Sequence, residues 1–112
     1  MEKLYDLSEF EALAMGDESF IKELLAANVE SIKEGIEDIN KSIGTGDFEG
    51  AGKAAHKIKP LLAMLKAGDV HQSVVDIEYY TRKEFNPERA QAAYSVFEPK
   101  APILLGQLKE LL

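Results

Sequence analysis

Apolar residues recur at three- and four-residue spacing along most of the chain, and that period predicts helices. One stripe runs through Ile21, Leu24, Leu25, Ile32, Ile36, Ile39 and Ile43, interrupted at Asn28. A second follows Phe48, Ala51, Ala55, Ile58, Leu62 and Leu65, and a third Val70, Val74, Ile77 and Thr81. No run alternates with period two, so no sheet is expected. Ser8-Glu9-Phe10-Glu11 fits a capping box that opens a short helix ending near Gly16. Asp17 and Asp47 stand where N-caps belong. Gly44-Thr45-Gly46 closes the first long helix, and Ala67-Gly68-Asp69 closes the next and caps its successor. Asn86-Pro87 is a stop and a fresh start, since proline suits the first helical position. The last segment runs to Leu112 and should bend or break near Pro99 and Pro102, each of which removes a backbone donor. Gly35 and Asn28 are weak points of the long helix. Pro60 cannot donate to the carbonyl of His56, which predicts a local bend there.

Long helices with short connections pack most simply as an all-α, antiparallel (up-down-up-down) four-helix bundle, here with the short N-terminal helix capping one end. The length of 112 residues suits one domain, 1–112, and 46% hydrophobic content suits one core. The absence of cysteine excludes a disulfide framework, a zinc–cysteine site and a thiol nucleophile. No apolar run approaches a membrane span and no leader pattern opens the chain, so a cytoplasmic protein is expected. Met1 followed at once by the domain favours a free-standing one, and a monomer is expected, with an apolar strip along the fourth or last helix as the route to a dimer. The net charge of −7 argues against nucleic acid or an anionic membrane as the main partner.

One stretch departs from this acidic background. Residues 50–68 contain no Asp or Glu, yet hold Lys53, Lys57, Lys59 and Lys66, with His56 among them. Small residues flank the imidazole at helical spacing, Gly52 one turn before and Ala63 two turns after. Such a histidine can be approached by a partner that carries phosphate. His56 lies eleven residues before Ala67 and Glu78 eleven after it. In an antiparallel hairpin, at about 1.5 Å rise per residue, the two stand at equal height. A carboxylate on Nδ1–H holds the tautomer that leaves a lone pair on Nε2, the arrangement of a nucleophilic histidine. Lys59 shares the face three residues on, as a point charge for a phosphoryl group, and Lys53 flanks the ring from the other side. Lys57 points about 100° away, towards a docking role. Taken singly, the lysines read as an ordinary solvated helix face, Gly52 and Ala63 as residues that permit close helix packing, and Glu78 as one of twenty acids at a chance height; their joint occurrence is harder to dismiss but does not alone name a chemistry.

The segment Ala55-His56-Lys57-Ile58-Lys59-Pro60-Leu61-Leu62-Ala63 resembles the signature of histidine-containing phosphotransfer (HPt) domains. That pattern is Ala-His-x-hydrophobic-Lys-Gly with a small residue seven after the histidine. Ile77 and Glu78 match an apolar–polar pair twenty-one and twenty-two residues on, where the family holds the imidazole with Gln or Glu. Residues 7–10 and 16–20 resemble the start of many such domains, and Gly46-Asp47-Phe48 resembles the approach to their histidine helix. The resemblance covers most of residues 5 to about 82, and the C-terminal third resembles the family only as more helix. It departs at Pro60, where glycine is commonest, and at Leu61 and Leu62, where Ser or Ala is frequent.

The resemblance implies a phosphocarrier that accepts a phosphoryl group from a receiver-domain aspartate and passes it to another receiver, with no kinase or ATPase activity of its own. His56 would be the nucleophile, Glu78 its orienter and Lys59 its charge support. Gly52, Lys53, Lys57, Pro60, Leu61 and Ala63 would form the docking face for receiver domains of response regulators or hybrid kinases. No cofactor is implied for this chain, since Mg²⁺ belongs to the receiver. The lysines would offset repulsion between two acidic proteins. The main alternative is a non-catalytic helical adaptor, which predicts a buried or blocked His56. A metal site is not expected, because His71 falls just past the turn, roughly 15 Å or more along the bundle from His56; an exposed position suits it better. Tyr79, Tyr80, Phe85, Tyr94 and Phe97 read as core or boundary packing.

Overall fold

The computed structural model describes residues 2–112. The described residues are all-helical without strands: α1 (Ser8–Ala14), α2 (Glu18–Gly44), α3 (Phe48–Met64), α4 (Gly68–Glu78) and α5 (Pro87–Lys109). A single π-helical turn, Tyr79–Lys83, follows α4 without a break. The long helix α2 packs on α3 and α5, and α4 also packs on α3 and α5.

Local chemistry explains most boundaries. The Asp17 carboxylate accepts from the backbone N–H groups of Ser19 and Phe20 at 3.0 and 3.2 Å. Asp47 accepts from Gly50 at 2.9 Å, and Asn86 from Arg89 at 3.2 Å with Pro87 in the first turn. Each satisfies a donor that the helix leaves open. Gly46 takes φ 77°, a value that suits glycine, and so lets the chain turn between α2 and α3.

The capping box is not formed. Ser8 is already the first residue of α1, its N–H bonded to Asp6 Oδ1 at 2.8 Å, so the cap comes from two residues upstream. Asp69 does not cap α4 either; it lies inside the first turn and pairs with Lys100 of α5. Of the bend or break expected at Pro99 and Pro102, the break does not occur, since α5 runs through both. Both prolines are exposed, as are Ser95 and Glu98, whose carbonyls lose their donors, so water replaces them. The opposite face buries Ala93, Phe97, Ala101, Leu104 and Leu108, which pins the helix to the core. Likewise α3 continues through Pro60 to Met64.

The core is one cluster. Its α2 stripe is Leu25, Val29, Ile32, Ile36, Ile39 and Ile43, so Val29 carries it past the polar Asn28. Ala51, Ala55, Ile58, Leu62 and Leu65 face it from α3, and Val70, Val74 and Ile77 from α4. Gly35 is not a flaw in α2. A methyl there would overlap Ile58 Cγ2 and stand 3.2 Å from Cδ1, so the missing side chain is what lets α3 come close. Of the five aromatics read as packing, Phe97 is fully buried and Tyr80 and Tyr94 are half-buried. Tyr79 and Phe85 are exposed, Phe85 at 64%. No described helix is long and apolar enough to cross a membrane.

Candidate functional site on α3 and α4

The α3–α4 hairpin brings His56 and Glu78 together across their helices. His56 Nδ1 bonds Glu78 Oε2, and Lys59 Nζ donates to Glu78 Oε1. Both carboxylate oxygens are thus engaged by α3. Arg82 Nη1 adds a second fixed cation beside Lys59, 3.6 Å from Oε2. Glu78 itself is only 6% exposed, whereas the His56 side chain is 61% exposed. The acid is therefore a buried support and the imidazole the accessible group.

A charge so placed must be compensated. Burial alone pushes the Glu78 carboxyl up, but the hydrogen bonds from Lys59 and His56, reinforced by their charges, outweigh it. The carboxyl is held below its ordinary value. An ionised carboxylate only accepts hydrogen bonds, so Nδ1 supplies the proton of this bond, and in a neutral ring that leaves the lone pair on Nε2. No buried side-chain nitrogen or oxygen among the described residues lacks a partner.

The other sequence-nominated residues separate into two groups. Lys53, Pro60 and Ala63 are exposed on the same stripe of α3 as His56, and Lys57 is exposed beside them. Lys57 turns to the α2–α3 groove, where it lines a hollow with Asp38 and Ala54, and Leu61 is half-buried along the same groove. Lys53 pairs with Glu49 at 3.4 Å, one turn away from the ring, and so does not join the Glu78 cluster. Lys66 reaches Ser8 at 3.2 Å. Gly52 is a correction: it is buried, facing Thr81 and Arg82, and forms no part of a docking surface. His71 is half-buried in α4 rather than exposed. No group of three or more His, Asp or Glu among the described residues is placed to hold a metal ion.

Two participants escaped sequence reasoning. Arg82 stands four residues after Glu78, a spacing that pairs charges on a helix, and that signal was available. The π turn had no visible signal, because nothing in Tyr79-Tyr80-Thr81-Arg82-Lys83 distinguishes it from a continuing α-helix. Its ladder is direct: Glu84 N–H bonds the Tyr79 carbonyl at 2.9 Å, five residues back. Comparison with known families, curated proteins and solved structures finds no match to this chain.

Proposed function

We propose that this protein is a histidine phosphocarrier of the HPt type, exchanging phosphoryl groups with receiver-domain aspartates. The observation that carries the reading is an exposed imidazole whose Nδ1 is held by a buried, ionised carboxylate. In this reading helices α2 to α5 form an antiparallel four-helix bundle with α1 as its cap, in one cytoplasmic domain.

The chemistry follows from the atoms. The Nε2 lone pair attacks phosphorus of an aspartyl phosphate, the N–P bond forms, and the P–O bond to the aspartate breaks. The electron pair leaves with the receiver's carboxylate. The ring gains positive charge, which Glu78 stabilises through Nδ1–H. Lys59 keeps Glu78 ionised and, having three donors, can offer another N–H to a phosphoryl oxygen. Mg²⁺ acts on the receiver's side. Exposed Lys53, Lys57, Pro60 and Ala63, with Leu61 at the edge, supply a weakly basic, low-relief face for an acidic partner. An adaptor with an incidental histidine calls for a buried or blocked ring, and 61% exposure disfavours it.

The test is incubation with a panel of phosphorylated receiver domains beside His56→Gln. Acid-labile, base-stable label on the wild type alone is expected. Receiver binding without label, equal in both proteins, establishes the adaptor instead.

A further inference from the structure

Glu78 is the last residue of α4, and the element that follows it is the irregular π turn. The turn is held from α5, where Arg89 donates to Tyr80 Oη at 3.2 Å, and from α3. A methyl built at Gly52 would overlap Thr81 Oγ1 and stand 2.7 Å from Arg82 Cγ, where ordinary contact begins at 3.4 Å. Thr81 cannot easily swing aside. It is β-branched, and its hydroxyl donates to the carbonyls of Ile77 at 2.7 Å and Glu78 at 3.2 Å. The seat is thus tied to the backbone of Glu78 itself. It also lies beside the functional pair: the residue four back from His56 on α3 meets the residues three and four on from Glu78, in the π turn. A second clasp fixes the turn's exit, where Phe85 packs edge-on against Phe48 at 5.8 Å between ring centroids.

We infer that Gly52 is a positioning residue for His56, acting through the π turn. The bare backbone at Gly52 lets Thr81 and Arg82 close against α3, and this closure holds the Glu78 carboxylate under the imidazole. Any side chain there wedges the turn outward, and the displacement falls on the end of α4 that carries Glu78. An error of about 1 Å between reacting groups and their supports can cost on the order of a hundredfold in rate. The inference rests on reading His56 and Glu78 as a working pair.

Its test needs no phosphoryl donor. The ¹⁵N shifts of the His56 ring report which nitrogen carries the proton, in the full-length chain, for wild type, Gly52→Ala and Gly52→Ala/Thr81→Ala. Gly52→Ala is expected to lose the Nδ1–H signature, and removal of the Thr81 hydroxyl in the double variant is expected to restore it at least in part. Should Gly52→Ala fail to fold, a folded double variant with native ring shifts supports the seat equally. Native ring shifts in folded Gly52→Ala overturn the inference, and so does a folded double variant without them. A protein that keeps this behaviour but accepts no label from any receiver refutes the phosphocarrier reading alone.

Discussion

At the scale of single residues, the site is an exposed ring on a buried charge. Glu78 is kept ionised by Lys59 and His56 against the effect of its own burial. A carboxyl held lower in the folded than in the unfolded chain stabilises the fold above its unfolded value, and that stability is lost as pH falls through the folded value. Glu78→Gln removes this titration while leaving a carbonyl to accept from Nδ1–H. The stability gap between wild type and Glu78→Gln is therefore expected to be full at neutral pH and to close as pH drops below the ordinary glutamate range. Urea unfolding at a series of pH values measures it, and a gap independent of pH would contradict the assignment. Glu78→Ala removes the acceptor altogether. Transfer to His56 is expected to slow on the order of a hundredfold, with a cooperative unfolding transition retained; quenched-flow labelling reads the rate. His56, Lys59 and Glu78 were legible as a set because their spacing determines which helix faces they occupy. Arg82 was legible in principle from the same rule. The depth of Glu78 was not, since sequence spacing sets the height of a residue on a helix but not how its neighbours cover it.

At the scale of elements, helix positions followed the apolar period, the caps Asp17 and Asp47 were readable as such, and Asn86-Pro87 was readable as a fresh start though not as a cap. The errors arose where an element's environment overrode its local rule. Pro99 and Pro102 sit on the solvent side of α5, so their unpaired carbonyls meet water and the helix continues. Gly35 and Gly52 looked like helix weaknesses or open surface. Both are contact points where another element fills the space of the missing side chain. Gly35→Ala is expected to overpack the α2–α3 contact against Ile58 and to destabilise the protein by about 1–3 kcal/mol. Denaturant unfolding checks this. Unchanged or raised stability would mean that Ile58 can move aside, leaving only the helix-propensity gain of alanine over glycine, about 1 kcal/mol.

At the scale of the whole molecule, α5 holds the assembly together by closing over α2 and α4, and Phe97 is its largest fully buried side chain. Phe97→Ala should destabilise the fold by about 3–5 kcal/mol. Below its unfolding transition the His56 ring shifts should stay native, because the side chains bonded to that ring and to Glu78 all lie on α3, α4 or the π turn. Thermal unfolding and ¹⁵N spectra separate the two effects, and altered ring shifts in the folded variant would tie α5 to the site. By itself, the sequence determined that the chain is helical, where the long helices α2 and α3 start, and which exposed residues share the face of His56. Those properties depend on the 3.6-residue period and on backbone groups within a turn or two. Only the tertiary structure decided that Glu78 is buried beneath an exposed ring, that a π turn follows it, and that Gly52 seats that turn. These depend on how closely two helices approach, and that distance is set by side chains far apart in the chain.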